Sequence, residues 1–484
     1  MINSKNFGLL AGPFVFFLIN FFFQINGLDT LSKSVIASTA WIAIWWVFEA
    51  VPIAITALLP VILFPLTGSL SLDETSSAYG HRYIFLYLGG FILALAIEKW
   101  KLHKRIALNI ISFLGTDVKR IILGFMISTA FLSMWISNTA TAVMMLPIGI
   151  AIVKQISNLK SSKEDESVIF GKALMISIAF SASIGGVSTL IGTPPNLILA
   201  SIIEESYGIK ISFKEWMLFA LPISCTLLII SWVYLTRFAF NFTHYNFDKV
   251  ENEINSQLNN LGKISYEEKL VSIIFLITAI SWVFKDFIQI IVPYIDDAII
   301  AIISAITLFL LNSGYKTEKL MKWEDAIKLP WGILLLFGGG LAIASAFQST
   351  GLANYIGESL NNFGSLPLVF LLLLTITMVN FLTEITSNLA TTAMLLPIIS
   401  SISWALDIHP FILMIGATVA ASCAFMLPVA TPPNAVVFGS NYLRISDMVK
   451  VGLIMNIISI LLILIFVYYY LPNVWNFDPF NYPF

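Results

Sequence analysis

Charge is scarce in this chain of 484 residues. Asp, Glu, Lys and Arg make up 11% of it, against about a quarter in a soluble domain, which excludes an ordinary soluble globule. Cysteine is nearly missing. Cys225 and Cys423 both sit in apolar segments, where they form no disulfide framework and read as small buried hydrophobes. The four histidines, His81, His103, His244 and His409, are scattered without ligand spacing, so a transition-metal centre has no support. No phosphate-cradling Gly-Lys-Ser/Thr loop is present, which excludes ATP-driven work. No nucleophile–base pair marks an intramembrane enzyme.

Apolar residues are abundant, at 58% with a mean hydropathy of +0.88, and many runs approach the ~20 residues that cross a bilayer. The expected fold is an all-α polytopic membrane protein. The first apolar run, Gly8 to Phe23, has no small-residue cleavage site before Asp29, so it reads as a retained span. Eleven spans are expected, near 8–25, 35–50, 52–67, 83–98, 173–203, 216–240, 270–292, 297–312, 330–349, 410–439 and 448–471. Two further apolar segments, 121–157 and 366–404, carry a Ser-Asn pair near the middle and a Pro beyond it. A polar turn at lipid depth leaves backbone groups unpaired unless the segment turns back inside protein. Both segments therefore read as re-entrant helical hairpins.

The positive charges agree with this layout. With the N-terminus in the cytoplasm and the C-terminus outside, only Lys33, Arg82, Lys210, Lys214 and Lys285 of the 26 Lys and Arg fall outside, as the positive-inside rule requires. Counting either hairpin as a crossing spoils the asymmetry. Residues 1–240 then form a first repeat, 241–268 a hydrophilic cytoplasmic linker, and 269–484 a second repeat. An odd number of crossings separates the repeats, so the second is inverted relative to the first. The aromatic stretch Tyr468-Tyr469-Tyr470 through Trp475 reads as an interfacial anchor.

The repeat is visible residue by residue. Ser137-Asn138-Thr139 through Leu146-Pro147-Ile148 returns 250 positions later as Ser387-Asn388-Leu389 through Leu396-Pro397-Ile398. The same shift carries Ser133 onto Thr383 and Gly89-Gly90 onto Gly339-Gly340. A second pair follows, Gly192-Thr193-Pro194-Pro195-Asn196 and Ala430-Thr431-Pro432-Pro433-Asn434. Paired prolines remove backbone donors and break the helix before them, splitting each of these spans into half-helices.

This combination points to a ligand site in two halves. Ser133 and Ser137 are four residues apart and share a helix face, which directs both hydroxyls to one point at the hairpin tip. With Asn138 and carbonyls freed at Gly192, they form a cluster of neutral oxygens suited to a hard cation such as Na+. Thr383, Ser387, Asn388 and the break at Ala430 repeat the cluster. Half-helix N-termini add positive dipole ends for an anion. No Lys or Arg lies within either motif, so amides, hydroxyls and Asn side chains would hold it. Glu384 is the one carboxylate beside a motif, opposite Met134 in the first copy. Either it carries a proton or tunes the second cation site, or it is a structural acid paired within the protein; the second role is favoured. A channel would need a continuous lined pore, which an inverted pair of hairpins and broken helices does not favour.

At these residues the chain resembles the divalent anion/sodium symporter family over nearly its whole length. The marks are the doubled Ser-Asn hairpin motif, the doubled Thr-Pro-Pro-Asn break, the run Ala421 to Asn434, and Trp45-Trp46 followed by Glu49 and Pro52. The resemblance implies a homodimer in which a scaffold domain stays fixed and a transport domain moves like an elevator. It implies one Na+ site at Ser133, Ser137, Asn138 and Gly192, and a second at Thr383, Ser387, Asn388 and Ala430. The substrate would lie between the tips, touching Asn138, Thr139, Thr193, Asn388, Thr431 and Pro432. Leu389 stands where the family often has Thr, which removes a hydroxyl and adds bulk on the substrate side. The expected activity is Na+-coupled symport of C4 dicarboxylates such as succinate, malate and fumarate across the plasma membrane. A Na+-independent dicarboxylate exchanger, or a sulfate or tricarboxylate carrier on the same scaffold, is the alternative. The expected partners are a small dicarboxylate, membrane lipid and a second copy of the chain, with no nucleic acid.

Overall fold

The computed structural model describes residues 4–23, 27–115, 117–157, 164–242, 248–314, 318–360 and 366–484. The end of the expected first span, His244 and part of the linker lie outside them. The described chain is all helical apart from one isolated bridge, Asn312 to Lys319. Among the described residues, eight helices are long and apolar enough to cross a membrane. A ninth is counted if Tyr266–Val283 and Lys285–Ile291, bent by 84°, form one span. Eleven crossings were expected. Seven of the eight match expected spans, and the eighth, Asn388–Ala405, lies in a segment expected to be re-entrant. Of the other expected spans one is the bent pair, and Ile53–Thr67, Asp297–Leu310 and Pro410–Ala421 are apolar but fall below full length.

The two hairpin segments each become two helices around a short turn. The first runs Val118–Ser133 and Asn138–Ser157, the second Leu368–Leu382 and Asn388–Ala405. The Pro-Pro breaks also appear where expected. Glu164–Val187 ends six residues before Pro194–Tyr207, and Pro410–Ala421 is separated from Pro432–Phe438 by a non-helical stretch. Pro at the first helical position costs nothing there, because its missing N–H would have been unpaired. The linker contains a helix, Asp248–Leu261, that packs on the second arm of the first hairpin and on Leu102–Leu114. Arg105 anchors this region, pairing with Glu268 at 2.9 Å and donating to the Gly262 carbonyl at 3.0 Å.

Packing exchanges elements between the repeats. Arg82–Lys99 lies on Asp297–Leu310, and Trp331–Ser349 lies on Ile53–Thr67. The glycine pairs make these approaches possible. A Cβ on Gly89 would stand 2.6 Å from the Ala301 backbone, and one on Gly339 would stand 2.7 Å from the Ala57 carbonyl. A second group of helices is built the same way. The half-helix Pro194–Tyr207 packs on the second arm of the second hairpin, and Pro432–Phe438 packs on the second arm of the first. Each Pro-Pro break therefore lies against the other repeat's hairpin as well as its own. The helix Pro194–Tyr207 also lies against Trp331–Ser349, which joins the two groups. That seam is fastened at one end by Arg82 to Glu204 at 2.7 Å and by Ser345 to Glu205 at 2.9 Å.

Candidate functional site

The first half-site forms where the Val118–Ser133 helix stops. Ser133 is fully buried, and its hydroxyl donates to the Ala182 carbonyl at 2.6 Å. The facing atom of the Asn138 carboxamide lies 2.8 Å from Ser133 Oγ, 3.1 Å from the Gly192 carbonyl and 3.2 Å from the Ala182 carbonyl. An oxygen there would face only acceptors, so the amino group is assigned to that position, donating to all three. The carboxamide reaches them because residue 186 is glycine: a Cβ there would stand 2.2 Å from it. Thr189 ties the hairpin to the break, donating to the Met134 carbonyl at 2.5 Å and accepting the Gly192 N–H at 3.1 Å.

Ser133, Asn138 and Gly192 are thus brought together. Ser137 takes another role. The helix has ended at Ser133, so the i, i+4 relation lapses, and the Ser137 hydroxyl accepts the Ala140 N–H at 3.3 Å as a cap on the second arm. Thr193 is fully buried with a hydroxyl that finds no partner among the described residues, whereas Thr139 is exposed.

The second half-site follows the same plan with different chemistry. Thr383 is fully buried and donates to the Ala421 carbonyl at 3.0 Å. Asn388 and Ser387 are half-buried, and the Asn388 side chain accepts the Leu389 N–H at 2.8 Å. Ala430 and Thr431 are buried and Pro432 is exposed. The Thr431 hydroxyl accepts the Asn434 N–H at 3.4 Å. Leu389, unlike its counterpart Thr139, is packed into the core.

Glu384 holds the second half together. Its carboxylate accepts the N–H groups of Phe425, Met426 and Leu427 at 2.8, 3.0 and 3.0 Å, and the Asn456 amide at 2.7 Å. A buried carboxyl held by four donors is a structural group, fixed in place by its hydrogen bonds. In the first repeat, where Met134 replaces it, the tie between hairpin and break is the Thr189 hydroxyl instead.

Ala182, Gly186, Thr189 and Asn456 were not singled out from the sequence. The Gly185-Gly186 pair was the available signal for a close approach; nothing local marked the other three. Among the described residues no group of three or more His, Cys, Asp or Glu is placed to hold a metal. The oxygens gathered here are the Ser133 hydroxyl and the Gly192 and Ala182 carbonyls around the Asn138 carboxamide, a neutral hard set that suits Na+ rather than a transition metal.

An all-helical chain with many apolar spans and a duplicated polar break is a multi-pass membrane protein. Residues 3–475 match the model for the sodium:sulfate symporter transmembrane region, and the chain belongs to that family. It is 45% identical over 479 residues to the sodium-dependent dicarboxylate transporter SdcS of Staphylococcus saprophyticus, covering 97% of this chain and 92% of the relative. It is 43% identical to SdcS of Staphylococcus aureus strain USA300, with the same coverage. Two solved structures share the fold at 13% identity. The Alcanivorax borkumensis YdaH transporter gives a TM-score of 0.59 over 87% of this chain and 90% of its own. Neisseria gonorrhoeae MtrF gives 0.57 over 95% and 98%.

Proposed function

We propose that this chain is a Na+-coupled symporter of C4 dicarboxylates, with the two half-sites holding the cations and the substrate lying between them. It is a transporter and not an enzyme, and Na+ is its coupling ion, as in the sodium-dependent dicarboxylate transporters it resembles at 43 to 45% identity. The observation that carries the site assignment is the packing of the Asn138 carboxamide against Ser133 Oγ, the Gly192 carbonyl and the Ala182 carbonyl at 2.8, 3.1 and 3.2 Å; in the second half-site the matching Thr383 reaches the Ala421 carbonyl at 3.0 Å. The first cation site takes Ser133, Asn138 and the Gly192 carbonyl, with Ser137 capping the arm that carries Asn138, and the second takes Thr383, Ser387, Asn388 and Ala430. Asn138, Thr139, Thr193, Asn388, Leu389, Thr431 and Pro432 face the dianion.

Two Na+ neutralise a dianion, and a third makes uptake electrogenic. This matters because each charge moved against the membrane potential costs ~2.3 kcal/mol per 100 mV. In this reading the hairpins are re-entrant, the N-terminus is cytoplasmic and the C-terminus outside. The chain is a homodimer whose half-site body slides past a fixed frame. Cation binding orders both hairpin turns and completes the anion site, so only empty and fully loaded forms cross. Succinate uptake into proteoliposomes tests it: uptake must follow an inward Na+ gradient and need no internal substrate. Uptake that ignores Na+ and requires internal dicarboxylate would make the protein an exchanger.

A further inference from the structure

The Thr-Pro-Pro-Asn motif ends in an asparagine whose purpose the cation and substrate assignments leave open. Asn196 is fully buried, and its Nδ2 donates to the carbonyls of Gly186, Val187 and Thr189 at 3.2, 3.2 and 2.8 Å. Asn434 is also fully buried, and its Nδ2 donates to Ala424 and Leu427 at 3.2 and 3.0 Å. The offset is the same in every pair that matches: 434 − 196, 424 − 186 and 427 − 189 are each 238. Both side chains leave their Oδ1 buried with no partner among the described residues. An orphaned buried acceptor is destabilising, and the cost is repeated in both copies. A residue kept only to fill space would not repeat it. The donors are what the site uses.

The backbone of the same asparagine completes the argument. In a continuous helix the N–H of residue 196 would bond the carbonyl of 192, and that of 434 the carbonyl of 430. Neither does. The Asn196 N–H bonds the Thr193 carbonyl at 3.2 Å, and the Asn434 N–H bonds the Thr431 hydroxyl at 3.4 Å. The prolines before them have no N–H at all. Each asparagine therefore ties off the carbonyls left where the preceding helix unwinds, while withholding its own N–H from one carbonyl, Gly192 or Ala430. In the first copy the link is direct. The Gly186 carbonyl it fixes lies against Gly192, where a Cβ would stand 2.4 Å away.

We propose that Asn196 and Asn434 are positioning residues that keep one backbone carbonyl at each break, Gly192 and Ala430, clear of backbone N–H groups and available to the cation; the Gly192 carbonyl meets the side-chain amide of Asn138, itself a proposed cation ligand. The inference rests on the cation sites proposed above. It assigns the specificity of each break, one carbonyl without a backbone donor among several unwound ones, to a residue that does not touch the ion.

The test is the Na+ dependence of thermal unfolding for the full chain in detergent, titrated with NaCl against choline chloride at constant ionic strength. Ligand that binds only the folded state raises the midpoint with its concentration, so the titration reads cation affinity separately from bare stability. Asn196→Ala and Asn434→Ala are each expected to raise the half-saturating Na+ concentration tenfold or more. If either fails to fold, Asn196→Gln or Asn434→Gln, which keeps the donor but displaces it by a methylene, carries the same expectation. A lowered Na+-free midpoint with half-saturation within twofold of the parent would overturn the inference, leaving the asparagines as packing. Ser133→Ala is the control for the underlying reading. If it shifts the titration while the asparagine variants do not, only the positioning role is lost. If Ser133→Ala and Thr383→Ala also leave the titration unmoved, the cation sites themselves are wrong.

Discussion

Asn456 donates to Glu384 Oε1 at 2.7 Å, and both side chains are buried. With the three N–H groups of Phe425, Met426 and Leu427, this makes Glu384 the hub of the second break. Glu384→Ala takes the acceptor from the Met426 and Leu427 N–H groups and the Asn456 amide, while the Phe425 N–H keeps Asn456 Oδ1 at 3.1 Å. Each buried donor left without an acceptor costs about 1–3 kcal/mol, so a large fall in the thermal midpoint is expected. Met134→Glu, at the matching position of the first repeat, is not expected to add stability, because Thr189 already makes that tie. A Glu384→Ala midpoint close to the parent would show that the carboxylate is not structural.

The glycine pairs set a second expectation. Gly89→Val and Gly339→Val drive a side chain into backbone at Ala301 and Ala57, and neither partner can rotate away. Overpacking of this kind costs about 1–3 kcal/mol or more. Gly90→Ala meets only the end of Ile191, at 3.3 Å, and is expected to be milder. Folded yield by size-exclusion chromatography separates the two outcomes.

Leu389 gives a prediction about substrate. It is buried where Thr139 is exposed, so the two half-sites differ in bulk and hydroxyl count on their substrate side. Leu389→Thr is expected to raise citrate uptake relative to succinate by several-fold. An unchanged citrate-to-succinate ratio would remove Leu389 from selectivity.

Two histidines outside the spanning helices predict the response to acid. Burial pushes both His409, which accepts the Phe411 N–H, and His103, which lies against the Ile97 carbonyl, down to about 4. The folded protein thus binds these protons less readily than the unfolded chain, where histidine titrates near 6.5. Stability is unaffected above about pH 7 and falls as pH drops from about 6.5 toward 4. Midpoints in detergent across that window should decline, and His103→Leu should flatten the decline. A flat parent profile would contradict the burial of both rings.

How much of this was legible in advance depends on the range of the interaction. The paired prolines announced both breaks, because loss of a donor and a steric clash act on immediate neighbours. The Ser-Asn repeat announced the helix breaks between Ser133 and Asn138 and between Leu382 and Asn388. The meeting of Ser133 with the Ala182 carbonyl, of Asn138 with Gly186, and of Glu384 with Asn456 joins residues far apart in the chain. Those pairings exist only once the helices have crossed. Ser137 is the instructive case: its spacing from Ser133 implied a shared face, but the helix stops between them and the hydroxyl caps the next one.

Composition and apolar run length by themselves determined that this chain lives in a bilayer, since nothing else solvates so little charge. Duplication of both motifs, at offsets of 250 and 238 residues, set out a polar centre in two halves. Tertiary structure alone decided which carbonyls remain open, because a backbone oxygen carries no side-chain signature and is free or paired only according to what the fold brings against it.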